Sequence, residues 1–134
     1  KEPDGWKNFG VYLQIITEEL GRFAQSLKET HEPAGAGNML DHTVLFFGSA
    51  SSSFHLSRNY PLLLIGGKKL GFKHGQYLRY GEESPTKLPQ DDRAFRSEMN
   101  YEEVDLSKLY VTMLQKLGIE TDTFGGSTGT LSEV

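Results

Sequence analysis

The run Thr43-Val44-Leu45-Phe46-Phe47, together with Leu62-Leu63-Leu64-Ile65, decides the fold class of this 134-residue chain. Both runs are short and continuously apolar, and each ends at a glycine. Strands buried on both faces have this pattern, which is typical of a parallel sheet covered by helices. We therefore predict an α/β fold with the two runs as neighbouring parallel strands, although the connection between them is short for a crossover.

Two amphipathic helices flank these strands in the sequence. Between residues 6 and 27, apolar side chains recur at spacings of three and four, which places them on one helical face. A second face of this kind covers residues 106–117 and ends at Gly118, where a left-handed residue can close a helix. Asp4 and Asp105 stand at the expected N-cap positions.

The remaining segments suggest that the chain is part of something larger. Residues 72–80 alternate weakly and predict a further strand or hairpin arm, whereas the polar residues 81–100 predict a long surface loop. Two doubly buried strands cannot form a covered sheet alone, because further strands and a second helical layer have to cover them. We therefore predict that residues 1–134 form a single domain, the C-terminal segment of a larger α/β domain with the upstream segment as its partner. The chain begins with Lys1 instead of Met, which fits this interpretation.

The formal net charge of −4 and the absence of cysteine limit the function classes. Phosphate neutralisation needs clustered lysine and arginine, so we predict no nucleic-acid partner. The basic stretch 68–79 has two interpretations, a solvated strand edge and an anion-attracting rim. Without cysteine the chain has no disulfide, zinc-thiolate site or cysteine nucleophile. The apolar runs are too short for a membrane span.

The serine-rich loop after the first run is the candidate site. In open α/β sheets, ligands bind at the carboxyl ends of strands, where small residues with hydroxyl groups can hold an oxyanion. We predict that this loop lines a substrate pocket, and the substrate-binding residues would be Ser49, Ser51, Ser53 and Arg58. A flexible surface turn is the alternative. Because Ser49 lacks the Gly-x-Ser-x-Gly setting of a nucleophile, no catalytic residue is assigned.

The four histidines do not form the i, i+4 pair of a helical metal site. His55 differs from the others because it lies between the two predicted strands, where it could serve as a ligand or an acid–base group. His42, beside Asp41, is expected to shape the turn before the first strand.

Two stretches resemble a known family. The first covers residues 41–67, and the second covers residues 109–129 and closes with Phe124-Gly125-Gly126-Ser127-Thr128-Gly129. Together they look like the C-terminal third of a secreted bacterial family known only as a domain of unknown function, which in turn resembles the alkaline phosphatase and sulfatase superfamily. This resemblance implies a three-layer sandwich with a mostly parallel sheet covered by helices, a periplasmic or extracellular location, and a divalent metal such as zinc.

The resemblance also implies residue roles. His55 stands six residues before Pro61, a spacing similar to that of a metal-ligand histidine in phosphoglycerate-mutase-like members, which implies His55 as a metal ligand. The superfamily's Asp-His after the first strand is replaced here by Ser49-Ala50, and the nucleophile would lie upstream.

The implied function of the full-length protein is metal-dependent hydrolysis of a phosphate or sulfate ester, carried by a small molecule or a polysaccharide. The fragment alone would be inactive. The alternative is a non-catalytic binding or structural protein on the same fold, which would contact a polysaccharide or another subunit.

Overall fold

The computed structural model describes residues 4–49, 61–80 and 104–134. Its helices and strands, in chain order, are α1 (Gly5–Glu29), β1 (Val44–Gly48), β2 (Leu62–Gly66), α2 (Leu106–Lys116), β3 (Thr123–Phe124) and β4 (Ser127–Thr128). Single 3-10 turns at Pro33–Gly35, Met39–His42 and Lys68–Leu70 join them. Both predicted helices are therefore confirmed, and both predicted strands exist close to their expected positions.

β1 and β2 pair with each other as an antiparallel hairpin. Val44 lies opposite Gly66 at one end of the ladder, and Gly48 lies opposite Leu62 at the other. The prediction of neighbouring parallel strands is therefore wrong. Parallel neighbours need a crossover connection of about a dozen residues or more, usually with a helix, whereas antiparallel neighbours can be joined directly.

The predicted three-layer sandwich with a mostly parallel sheet is also wrong. The described residues contain two α-helices and two antiparallel sheets of two strands each. The apolar composition of β1 and β2 led to the sandwich, because it indicated helices on both faces of a larger sheet. Within residues 4–49, 61–80 and 104–134, one face of the hairpin packs into the buried core.

The inner face of the hairpin supplies half-buried side chains to that core, namely Val44, Phe46, Leu62 and Leu64. The outer face is equally apolar, and on it Leu63 is exposed while three residues are half-buried, namely Leu45, Phe47 and Ile65. The sequences of β1 and β2 are thus typical of strands that are covered on both faces. In the structure, the inner face of the hairpin is the one that packs into the core.

Three buried side chains from distant parts of the chain form the centre of the core: Phe72, Leu109 and Val134. Leu109 comes from α2, whereas Phe72 follows the hairpin and Val134 belongs to the C-terminal tail. Tyr110 on α2 adds edge-to-face ring contacts with Phe46 and Phe124, at centroid distances of 5.8 and 5.3 Å. The helix thus holds the hairpin on one side and the tail on the other.

The C-terminal tail, whose sequence is rich in Gly, Ser and Thr, folds as a small hairpin. β3 and β4 are joined by Gly125 and Gly126, which both have positive φ values, of 56° and 83°. Two-residue hairpin turns of this kind need left-handed residues at both positions, which glycine adopts without steric cost. Residues 72–80, expected as a further strand or hairpin arm, belong to no strand.

α1 is joined to the rest of the molecule by a compact turn. Asn38 and Asp41 form a reciprocal capping box, in which the Asp41 N–H donates to Asn38 Oδ1 over 3.0 Å. The His42 ring lies 3.1 Å from the Ala36 carbonyl oxygen. The contact of His42 confirms the expectation that this residue shapes the turn before β1, and the turn packs against α1.

Candidate docking surface

The predicted site loop can be placed at only one of its residues. Ser49 is exposed directly after β1, and its N–H donates to the Pro61 carbonyl oxygen over 3.2 Å, which extends the hairpin ladder. The other predicted site residues lie outside the described residues: His55, Ser51, Ser53 and Arg58. Their roles as metal ligand and substrate-binding residues stay predictions.

The histidines that the structure does describe make local backbone contacts. His42 holds the turn before β1, and the His74 ring contacts the carbonyl oxygen of Gly66 at the end of β2. Across residues 4–49, 61–80 and 104–134, no three histidine, aspartate or glutamate groups converge on a common metal position. The same ranges contain no helix that is both long and apolar enough to cross a membrane.

A shallow groove lies where α2 ends. Its lining includes two carboxylates, Glu120 and Asp122, and the amide of Gln115. The Gln115 amide donates to the Thr121 carbonyl oxygen over 2.7 Å, so it holds the loop after the helix. We therefore assign this groove a structural role.

The most prominent surface feature is the apolar side of α1. This helix has 25 residues, and none of them is buried. Its side chains at one face define the α1 seam, which comprises Trp6, Phe9, Leu13, Ile16, Leu20, Phe23 and Leu27. Trp6 is 72% exposed and Phe9 is 59% exposed, so two large aromatic side chains are in contact with solvent. Contiguous apolar patches of more than a few hundred square ångströms mark interaction sites on soluble proteins.

The spacing of the α1 seam is that of a helix that packs on another helix. Its members follow one another at intervals of 3, 4, 3, 4, 3 and 4 residues. This is the a and d repeat of a heptad, and it places every member on one stripe that faces a partner helix. A free helix has 3.6 residues per turn, so a strict repeat of 3.5 is more specific than ordinary amphipathicity.

The two halves of the seam differ in their surroundings. Ile16, Leu20 and Leu27 are half-buried in the half of α1 that leads to the Met39–His42 turn, whereas Phe23 in the same half is exposed. Trp6, Phe9 and Leu13 form the exposed N-terminal half. The chain thus covers part of the seam itself and leaves the N-terminal part open.

Charge is concentrated away from the open half. No charged residue occurs between Asn8 and Thr17, whereas the C-terminal half contains Glu18, Glu19 and Arg22. Arg22 forms ion pairs with both glutamates. An uncharged helical segment gains little from contact with water, so the N-terminal half of α1 is better suited to an interface than to solvent.

The sequence shows the periodicity of this face, which fits both a face packed into the core and a face left in solvent. Two signals could have separated the cases: the unbroken heptad repeat, and the uncharged stretch that continues around the helix through Val11 and Ile15. No family model, curated protein or solved structure matches the chain.

Proposed function

We propose that this chain is a non-catalytic interaction module whose α1 seam docks against an apolar helix of a polypeptide partner. The observation that supports the proposal is the seam itself, a heptad stripe of seven apolar residues with its aromatic N-terminal half in solvent. Helix-in-groove and helix–helix recognition use anchors at these spacings. The ester hydrolase implied by the resemblance has no comparable support, because its candidate ligand His55 lies outside the described residues.

A polypeptide partner fits the helix better than a lipid surface does. Helices that lie on membranes are rich in lysine and arginine on the polar face, which attracts anionic lipid. The segment from Asp4 to Glu29 has four acidic and three basic side chains, and Glu18 and Glu19 stand on its polar side. This charge does not favour anionic headgroups.

Trp6 provides a direct test because it is the only tryptophan of the chain and belongs to the seam. The probe is a synthetic helical peptide with leucine at every a and d position, titrated into dilute protein. We expect a saturable blue shift of Trp6 emission, since docking removes the indole from water. A matched peptide with serine at the same positions should cause no shift. Equal responses to both peptides, or none to either, would contradict the proposal.

A matched pair of variants tests whether the seam is the binding face. Phe9 is 59% exposed on the seam, and Val11 is 57% exposed on another side of the same helix. Phe9→Glu should weaken peptide binding at least tenfold, because a charge would enter an apolar contact. Val11→Glu should leave binding within about twofold, since position 11 points away from an a and d interface. Equal losses in both variants would indicate general hydrophobic adhesion.

A further inference from the structure

We infer that the partner is a second copy of this chain, and that two α1 helices pair in antiparallel orientation through the open N-terminal halves of their seams. The inference rests on the proposed docking function of α1 and names its partner. A two-fold axis requires a surface that is complementary to itself, and a heptad stripe fulfils this requirement.

The residue spacing provides a specific register. The two-fold axis crosses the helix pair at the height of residue 11, whose own side chain points away from the interface. Trp6 of one copy then lies opposite Ile16 of the other, and Phe9 lies opposite Leu13. Every layer then joins one a position with one d position, as antiparallel helix pairs require. The overlap runs from Trp6 to Ile16, so Ile16 is the one half-buried seam residue that it includes, and Leu20 and Leu27 stay outside it.

The antiparallel orientation follows from where the rest of the chain lies. The C-terminal half of each α1 leads directly into the turn and the β-hairpin. In a parallel pair both folded bodies would stand side by side at one end and compete for the half of the seam that is already partly covered. In an antiparallel pair the bodies lie at opposite ends, and the half-buried Leu20 and Leu27 stay outside the overlap.

The residues beside the overlap permit close approach without repulsion. Gly10 and Thr17 flank the seam seven residues apart, and small side chains there allow two helix backbones to come near. Lys7 is the single charge between Gly5 and Thr17, and its ammonium group is 2.9 Å from the Asp4 carboxylate of its own chain. Two overlapping segments therefore bring no unpaired like charges together.

The exposed area is sufficient for a modest dimer. Trp6, Phe9 and Tyr12 are 72%, 59% and 58% exposed. Since an aromatic side chain can bury 150–250 Å², these three leave about 400 Å² per copy, and the aliphatic seam residues raise this to about 500 Å². Two copies would bury about 1,000 Å² in total, which is near the lower limit for a specific interface. We therefore expect a dimer that dissociates on dilution.

Sedimentation equilibrium of the complete chain over a wide range of concentrations tests the inference. We expect a reversible monomer–dimer equilibrium for the wild type and for Val11→Glu, and a dissociation constant at least tenfold higher for Phe9→Glu. None of the α1 residues is buried within the chain, so all three proteins should keep the same far-ultraviolet circular dichroism. A wild type that stays monomeric at every concentration, or a dimer that Phe9→Glu leaves intact, would overturn the inference.

Disulfide trapping tests the orientation, because the chain has no cysteine of its own. In the antiparallel register, the two copies of residue 10 face each other beside the axis, so Gly10→Cys should form a linked dimer under mild oxidation. Trp6→Cys should form none, since residue 6 of the two copies lies at opposite ends of the overlap. Linkage through Trp6→Cys without linkage through Gly10→Cys would indicate a parallel pair and overturn the register.

The outcomes separate this inference from the proposed function. A strictly monomeric chain whose Trp6 still responds to the leucine peptide would rule out the second copy and leave helix docking in place. A chain that neither dimerises nor binds the peptide would remove both. Anionic phospholipid vesicles are the third probe. A blue shift of Trp6 emission on addition of vesicles, in a chain that stays monomeric, would assign the α1 seam to lipid and overturn the inference.

Discussion

At the scale of single residues, the leucines on the apolar face of α2 differ in how deeply they are buried. The repeat places Leu109 and Leu114 on one face of α2, and from the sequence alone Leu114→Ala is expected to destabilise strongly, because Ile119 should cover Leu114 at the helix end. In the structure Leu109 is 6% exposed at the centre of the core, whereas Leu114 is half-buried near the helix end. Ile119, expected to cover Leu114, is itself exposed.

We therefore expect Leu109→Ala to lower the free energy of unfolding by about 2–5 kcal/mol, the cost of an unfilled core cavity. Leu114→Ala should cost less than Leu109→Ala, because part of its side chain already contacts water. Chemical denaturation of both variants beside the wild type measures the difference. A larger loss for Leu114→Ala would show that the core is centred nearer the end of α2.

Backbone features that depend on one residue type were predictable from the sequence. Gly118 has a φ of 81°, and the Ile119 N–H donates to the Leu114 carbonyl oxygen over 2.9 Å. The Schellman motif expected at the end of α2 is thus confirmed. Asp4 and Asp105 stand at the N-caps as expected, but neither makes a side-chain capping hydrogen bond. Asp105 instead accepts a hydrogen bond from the Ser127 hydroxyl over 3.2 Å, a contact between distant residues that local pattern cannot show.

At the scale of elements, the sequence predicted where helices and strands lie but not how the strands pair. Apolar residues on both faces of β1 and β2 are compatible with a sheet under two layers and with a hairpin that leaves one face outside the core. Periodicity cannot separate these cases, because it reports local amphipathicity and not the direction of the partner strand. The same limit applies to α1, whose stripe is visible in the sequence while its exposure depends on the packing of the whole chain.

Two glycines, one inside α1 and one just after α2, allow a matched test at this scale. A methyl group added at Gly21 in α1 or at Gly118 after α2 would meet open space, so conformation alone decides its effect. Gly21 has helical backbone, and Gly21→Ala should stabilise α1 by about 0.5–1 kcal/mol. Gly118→Ala should destabilise by about 1–2 kcal/mol, because its φ is left-handed.

Thermal melts followed by far-ultraviolet circular dichroism measure both changes. The expected result is a higher helical content or midpoint for Gly21→Ala and a lower midpoint for Gly118→Ala. The same sign for both substitutions would mean that packing, and not backbone conformation, governs one of these sites.

At the scale of the whole molecule, the C-terminal tail and the segment after β2 are tied together. The Thr112 hydroxyl accepts a hydrogen bond from the Leu131 N–H over 2.8 Å, and the Lys73 ammonium group donates to the Ser132 carbonyl oxygen over 2.6 Å. Tyr80 donates its hydroxyl to the Glu133 carboxylate. The contacts of Lys73 and Tyr80 join residues 72–80 to the C-terminal tail, and these residues belong to no strand ladder.

The Tyr80–Glu133 pair predicts how this attachment depends on pH. Partial burial and the hydrogen bond to Glu133 raise the pKa of Tyr80 from 10.0 to about 12. The hydrogen bond from Tyr80, helped by a backbone hydrogen bond, lowers the pKa of Glu133 below its usual 4.5. A raised tyrosine pKa stabilises the fold fully below pH 10.0 and loses this effect as the pH rises through about 12. A lowered carboxyl pKa stabilises above 4.5 and loses its effect as the pH falls through the folded-state value.

Tyr80→Phe tests this sign at both ends of the pH range. Absorbance titration should show a tyrosine that ionises near pH 12 in the wild type, and this transition should be missing in the variant. The pKa of Glu133, followed by nuclear magnetic resonance, should rise towards its ordinary value when the hydroxyl is removed. The acid limb of the stability profile should then move to higher pH, since the carboxylate would be protonated earlier. An unchanged Glu133 titration in the variant would contradict the hydrogen bond as the cause, and with it the attachment of the tail through residue 80.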